Sequence, residues 1–448
     1  MLSHETTRRQ AIATTVAGIL ASAVADAQQP EPAKKPAPKK SNPSIPLGPD
    51  AVTGPMVGHT SDTETVLWIR PAKPGAVTLN IRAENGGTEQ TLRAEAVEEN
   101  DLCVAVRVSG LKAATKYRYG FRQGDMALGG GKFRTWPAAG TPAKVTMAFG
   151  SCALTESSSV WTRMLESGCQ AIAFMGDTPY IDSYDLETVR RHQREFLHVP
   201  ELKPMLARMP IWGTWDDHDF GLNSHLGNSN PEGKKSTRKA FVEYRALANH
   251  GENGAGVYTS FRVGSLEVWL LDPRWFSMTE KSPVDASLPS CFGAAQWAWI
   301  LAGLKASTAK FKLLAMGEVW QDKMNKETDD MGTFPHEREA LFDFIKREKI
   351  SGVMLFGGDI HCSRHLCSKA RVGYDLHEFV SSPIHDRIIP SLNVPHPDLV
   401  WGKPEPRAFL RIAADDTVQP ATLTATFINV AGETIHEVQL TSTQLSPS

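Results

Sequence analysis

The stretch "AIAFMGDTPYID", residues 171–182, changes character halfway. Five apolar residues have the length and composition of a strand buried on both faces, and they are followed at once by Asp177, Tyr180 and Asp182. The same grammar recurs along the chain. "VTMAFGSC" ends at Cys152, "IWGTWDD" at Asp217, "LEVWLLD" at Asp272, "FKLLAMGE" at Glu318 and "GVMLFGGD" at Asp359. A single carboxylate after a strand ordinarily caps a turn or the next helix. Repetition changes the reading, because ligands of α/β sheets bind beyond the carboxyl ends of the strands, where these side chains would meet.

Carboxylates gathered in a low-dielectric crevice cannot all stay ionised without a counter-charge, so the pattern calls for a multivalent cation. His361, two residues past Asp359, and Asn223, closing "WDDHDFGLN", are further donors of the right kind. Strand alternation implies that only one of Asp216 and Asp217 points inward, and Asp217 is the choice. Tyr180 and Cys152 offer a phenolate and a thiolate beside hard carboxylates, a set that suits Fe(III) better than magnesium. The plainer alternatives are a core tyrosine and an inert buried thiol. Asp182 is read as a turn cap or a supporting residue, outside the ligand set.

Working outward, the segment from about residue 141 to 448 alternates apolar strand, loop and amphipathic helix, the rhythm of an α/β domain. Helices are expected at Val160–Ser167, Leu186–Leu197, Ser236–Ala248, Ala294–Lys305 and Pro335–Arg347. Residues 51–140 instead show period-two alternation, as in Leu102, Val104, Val106 and Val108, then Tyr117, Tyr119 and Phe121. With further strands at Thr65–Arg70, Ala76–Ala83 and Lys132–Trp136, this is a small β-sandwich. Its segment Gly110–Tyr119 resembles the tyrosine corner of fibronectin type III domains. Residues 28–50 are rich in proline and lysine and read as a linker.

At the N-terminus, Arg8 and Arg9 precede a modest apolar stretch, Ala11–Val24, and the small residues of Ala25-Asp26-Ala27. Residues 1–27 therefore resemble a twin-arginine export signal, which implies a periplasmic or secreted protein with the export machinery as a partner and no membrane segment after cleavage. The chain has 448 residues, 41% hydrophobic and 22% charged, with a formal net charge of −2. Charges are interspersed, so nothing points to nucleic acid as a partner. Six cysteines are too few to scaffold a chain of this length, and no disulfide is expected.

Taken in order, "FGSC", "GDTPYID", "WDDHDFGLN", "LDPR" at 271–274 and "GGDIHCSR" at 357–364 resemble the PhoD-type alkaline phosphatases, relatives of the purple acid phosphatases among the calcineurin-like metallophosphoesterases. The resemblance implies a four-layer αββα sandwich behind a fibronectin type III-like domain. It also implies a centre of Fe(III) plus a divalent ion, calcium in this type. By position, Cys152, Asp177, Tyr180 and His361 would hold the iron, and Asp177 would bridge to an ion held also by Asp217, Asn223 and Asp359. His218 would stabilise the transition state or protonate the leaving group. Arg274, and beside it Arg364, would offer a planar fork to the phosphate ester, the alternative for Arg274 being a salt bridge to Asp272. Two departures stand out: Asp219 replaces the commoner glutamate of a DHE sequence, and Ser224 replaces a second asparagine.

The function expected is therefore metal-dependent hydrolysis of phosphate monoesters or diesters, with a water activated by the metal pair. A lipid phosphodiesterase of phospholipase D type is the runner-up. A non-catalytic module binding phosphate or sugar would have shed ligands that this chain keeps.

Overall fold

The structure, a computed structural model, describes residues 44–48, 50–321 and 328–447. The expected signal segment and most of the linker fall outside the described residues. Among the described residues seven strands come first: β1 (Thr53–Thr60), β2 (Glu64–Arg70), β3 (Gly75–Ala83), β4 (Gln90–Ala96), β5 (Val104–Ser109), β6 (Lys116–Gln123) and β7 (Met126–Arg134). They pair antiparallel in two sheets, β1-β2-β5 and β4-β3-β6-β7. Alternation drives this: Val104, Val106 and Val108 face the core while Ala105, Arg107 and Ser109 face solvent. β1 has no such alternation because it is buried throughout, Val57 in the sandwich core and Met56 in a core shared with the rest of the chain.

The sandwich is fastened to the α/β body. Asp101 accepts from Arg70 of β2 at 2.9 Å, and from Arg194 and Tyr244 beyond the sandwich. Trp68 Nε1 donates to the Glu243 carbonyl at 2.8 Å, and Tyr119 Oη to that of Ala207 at 3.1 Å. At Gly58 the backbones approach so closely that a Cβ would lie 2.0 Å from the Ala246 carbonyl oxygen.

The α/β body begins with β8 (Lys144–Gly150), β9 (Ala171–Met175), β10 (Ile211–Thr214), β11 (Thr259–Val263), β12 (Leu266–Leu270), β13 (Phe311–Ala315) and β14 (Val353–Gly357). Its remaining strands are β15 (Ser363–Ser368), β16 (Leu376–Val380), β17 (Leu399–Lys403), β18 (Phe409–Asp415), β19 (Thr422–Ile428) and β20 (Thr434–Thr441). One sheet runs β10-β9-β8-β18-β19-β20 and the other β11-β12-β13-β14-β16-β15-β17. The apolar runs that end in polar residues are the parallel strands of both, β8 to β10 in one and β12 to β14 in the other.

Side chains of β8 and β9 sort by face. Met147, Phe149, Ala171, Ala173 and Met175 enter the large core between the sheets, where Phe149 meets Phe356 with ring centroids 5.0 Å apart. Ala148, Ile172 and Phe174 face the other way, against Val160, Trp161 and Met164 of the helix Val160–Glu166. Helices Gly293–Ala306 and Pro335–Arg347 contribute Ile300, Leu304, Leu341 and Ile345 to the large core. All six cysteines are free.

Where β20 faces β15 and β16, three imidazoles form a chain. His365 Nδ1 lies 3.1 Å from His436 Nε2, and His365 Nε2 lies 2.9 Å from His377 Nδ1. Phe379 and Trp401 stack on this group, with Lys369 and Asp375 the charged neighbours. Burial holds His365 down to about 3, helped by the other two rings, and His377 down to about 4 against the pull of Asp375. Both folded values lie below that of a free histidine, so the unfolded chain binds more protons as the solution is acidified. Stability is complete above neutrality and falls as pH drops through 6 toward 4. The expected loss at pH 5 is up to about 2 kcal/mol per histidine, read from urea unfolding between pH 7 and 5. His377→Phe should flatten the profile, and an unchanged slope in that variant would remove the trio from the account.

Candidate metal centre

The quoted stretch leaves β9 at Met175 and turns sharply. Gly176 has φ +82°, Asp177 follows at +52°, and Asp182 stands at +54°. The left-handed region recurs at Cys152 (+58°) after β8, and at Asp359 (+66°) and His361 (+50°) after β14. For residues with a Cβ this conformation costs about 1–2 kcal/mol each. Four of the expected ligands carry that strain, and such outliers persist where surrounding structure holds them for a purpose.

The purpose is convergence. Cys152 Sγ lies 3.6 Å from Asp177 Oδ2, and Tyr180 Oη lies 2.6 Å from His361 Nε2. Ligand atoms of Asp177, Asp217 and His218 all lie within 4.8 Å of one another, as do those of Asp216, Asp217 and Asp359. The strands' close approach needs small residues behind them. A Cβ on Gly176 or on Gly317 would stand 2.4 Å from the Asp216 Cβ.

Alternation fails for Asp216 and Asp217, and both oxygen sets reach the centre. β10 ends at Thr214, and Asp217 opens the short helix Asp217–Phe220 that Asp216 caps, so the strand period no longer applies. Asn223 flanks the group but is exposed, with its amide nitrogen on Ser224 Oγ at 2.7 Å. The backbone N–H of Ser224 donates to Asp217 Oδ2 at 2.5 Å.

Asp177, Asp216, Cys152 and Tyr180 are held in surroundings that favour their neutral forms. Burial pushes Asp177 well above the carboxylate range, and Asp217, Asp219 and Asp359 add to it against His218. Asp216 is driven up by burial and by neighbouring acids, against Arg274. Burial and then Asp177 raise Cys152, and burial, Cys152 and Asp177 raise Tyr180. Burial alone would lower His218, but Asp177, Asp217 and Asp182 outweigh it and lift the ring to about 10. Asp216 Oδ2 is buried and accepts no hydrogen bond among the described residues. Such a set of hard oxygens, a phenol, a thiol and imidazole fits a multivalent cation, which would relieve every one of these shifts.

Arg274 departs from the sequence reading. Arg274 is 1% exposed and its fork faces protein: Nε donates to Asp216 Oδ1 at 2.7 Å and Nη1 to Asp329 Oδ2 at 3.0 Å, with Glu318 Oε1 3.4 Å from Nε. Its partners come from three chain segments that meet only in the fold, and the Asp272 carboxylate is instead taken by Trp215 Nε1 and backbone N–H groups. Arg364 is equally buried and donates to the Val394 carbonyl at 2.7 Å. The Arg274 guanidinium is thus taken up by protein carboxylates, whereas that of Arg364 is buried with its Nε unpartnered among the described residues.

Asp182 is a supporting residue, and the structure supplies its partner. Its Oδ1 is 2.6 Å from His218 Nδ1, because the turn after Tyr180 brings the N–H groups of Ile181 and Asp182 to the His218 carbonyl. Two further residues escape sequence reasoning. His385 packs against His361 with centroids 4.6 Å apart, and its Nε2 is 3.5 Å from Tyr180 Oη. Ser382 Oγ is 3.1 Å from Cys152 Sγ and accepts the His361 N–H at 3.1 Å. The signal for both is position, since "SSPIHD" follows β16, which is itself parallel to β14 although His377 and Glu378 interrupt its apolar character.

Two facing sheets with donors gathered at their parallel strand ends define a metallophosphoesterase-like fold. Residues 147–396, more than half of the chain, match the PhoD-like phosphatase family. Alkaline phosphatase D of Bacillus subtilis (strain 168) is 27% identical over 316 residues, covering 58% of this chain and 53% of that protein. The chain thus spans about half the length of this curated relative. Among solved structures, that of PhoD superposes with a TM-score of 0.71 at 20% identity over 90% of each chain. The purple acid phosphatase PPD1 of yellow lupin (Lupinus luteus) does so with 0.66 at 11% identity, over 88% of this chain and 75% of that one. The chain belongs to the PhoD-like phosphatase family.

Arg274 yields a test. Arg274→Met leaves Asp216, Asp329 and Glu318 without their buried cation, and should destabilise the protein by about 3–5 kcal/mol in urea unfolding. A normal unfolding midpoint combined with a raised KM for phosphate esters would restore the phosphate-fork reading.

Proposed function

We propose that the protein is an exported, metal-dependent phosphoesterase that hydrolyses phosphate monoesters or diesters. The observation that carries this reading is the meeting of Cys152, Asp177, Tyr180, Asp217, Asp359 and His361 beyond the strands of two sheets, four of them in left-handed turns. Cys152, Asp177, Tyr180 and His361 would hold Fe(III), and Asp177, Asp217, Asp359 and the flanking Asn223 a divalent ion, calcium being the family's. When bound, such a pair supplies Lewis acidity to the phosphoryl oxygens and lowers the pKa of water.

The chain's own residues do the rest. Asp182 holds His218 through Nδ1, which fixes the ring and leaves Nε2 as the atom that can carry a proton to the leaving oxygen. The Asp177 and Asp217 oxygens that accept the His218 N–H, at 3.2 and 2.9 Å, tie this ring's backbone to the ligands themselves. Bound cations would cancel much of the negative potential that Asp177 and Asp217 exert on His218, and its Nε2 would then give up a proton more readily.

The N-terminal sandwich is read as fibronectin type III-like. Its strand order supports this, as does Tyr117 Oη, which accepts the Lys112 N–H at 2.8 Å in the manner of a tyrosine corner. Residues 1–27 are read as the twin-arginine signal. No helix among the described residues is long and apolar enough to cross a membrane.

Protein exported from its host should contain iron, absorb visible light through a tyrosinate-to-iron band, and lose activity on nitrophenyl phosphate after chelation. The band should vanish in Tyr180→Phe. His218→Asn should lower kcat by about 10²–10⁴-fold while the metal content is kept. A colourless enzyme indifferent to chelators would overturn the metal assignment, and full activity in His218→Asn would remove the proton role.

A further inference from the structure

A cavity of about 310 Å³ lies where the sandwich meets the α/β body. It is built from the end of β7 and the segment after it, the start of β8, the turn before β9 and the segment before β10. Its rim carries three cations, Arg134, Lys144 and Arg208. Among the described residues neither arginine has an ion-pair partner, and Lys144 has only Asp415, 3.9 Å away. Trp136, Pro137, Val145 and Pro210 form an apolar wall, and Gln170 adds a polar group.

The frame is firm. Trp136 N donates to the Ser61 carbonyl at 3.2 Å, while Gln170 N and Oε1 clamp Thr146 at 2.9 and 3.0 Å. Ala143 N is fixed by Asp416 Oδ1 at 2.7 Å. None of the lining residues belongs to the candidate metal centre. Two guanidiniums and an ammonium left without strong partners around one concavity create a positive potential that favours an anion with several acceptor oxygens. Guanidinium forks match carboxylate and phosphate alike, and three cations around one concavity favour the doubly charged anion with the larger number of acceptor oxygens. The volume is at the lower end of small-molecule sites, which excludes a folded polymer as the occupant.

We propose that this junction cavity binds a phosphate dianion at a site separate from the metal centre. The ligand is the product of the monoester hydrolysis read above, so its chemical class rests on that reading, whereas the existence of an anion site does not. Phosphate there would be held between the sandwich and the strand β8 that delivers Cys152. The sandwich thereby acquires a binding role in addition to packing.

The test is a count. Titration calorimetry of the metal-loaded protein with inorganic phosphate should give two sites per chain. Arg134→Ala/Arg208→Ala should remove one, weakening it by more than about 30-fold, and leave kcat and KM for nitrophenyl phosphate unchanged at low phosphate. Both side chains are exposed, so the variant should keep the parent's unfolding midpoint. A parent protein with one site, or a variant that still binds two, overturns the proposal. Sulfate separates the two readings: if the protein proves inactive on phosphate esters, loss of sulfate binding in the same variant still supports the anion site, and retention removes it.

Discussion

Asp216 is where two buried acid clusters meet, and the way their charge is neutralised organises the rest of the molecule. On one side Asp216, Asp329 and Glu318 surround Arg274. On the other, Asp216 joins Asp217 and Asp359, and Asp217 joins Asp177 and His218. Among the described residues neither Asp177 nor Asp217 pairs with a lysine or arginine. Each ionised carboxylate removed from water costs several kcal/mol unless a cation replaces the lost solvation. The protein supplies an arginine to the first half of the network, and in the second it sets the His218 imidazole beside Asp177 and Asp217. Metal ions bound as proposed would complete the second half, and Arg274 would then be the internal counterpart of an inorganic charge.

The backbone serves this division. Cys152, Asp177, Asp359 and His361 could not face one point if the chain continued in strand geometry, because successive side chains would alternate across the sheet. The left-handed turns fold each side chain back over its own strand end. Gly176 and Gly317 leave room for Asp216 between the strands that carry the ligands. The strain is distributed over strands whose cores are fully buried, and the two-sheet core is what holds it.

Much of this is legible in the chain because buried parallel strands are short, apolar and abruptly terminated. The helix Pro335–Arg347 begins and ends where its proline and its apolar spacing place it, and others shift by one to four residues, as with Gly233–Tyr244 against an expectation of Ser236–Ala248. β1 and β4 escape notice: one is buried on both faces, and the other alternates charged residues with Leu92 and Ala94. In the site, the ligand types can be read from position, but charge partners cannot. Arg274 sits two residues from Asp272, yet its carboxylates come from residues 216, 318 and 329, and only the fold brings these together. The partner of Asp182 and the place of His385 are hidden for the same reason, since each acts on a residue from another segment.

Asp219 shows how a departure from a family pattern can be understood from its contacts. Its Oδ1 accepts the N–H groups of Asp216 at 2.6 Å and Asp177 at 3.2 Å, and its Oδ2 that of Thr178 at 3.3 Å. One short carboxylate thus binds both ligand-bearing loops through their backbones. Arg245 completes the frame, donating to the Thr178 carbonyl and to Gln193 Oε1. A glutamate carries its oxygens one methylene further out, and could not accept from the N–H of Asp216, three residues back, and from the neighbouring loop without moving one of them. An aspartate is therefore the residue that this local geometry requires. Its work is to hold Asp177 and Asp216 in register, so an aspartate at this position acts on the rigidity of the two loops that carry them.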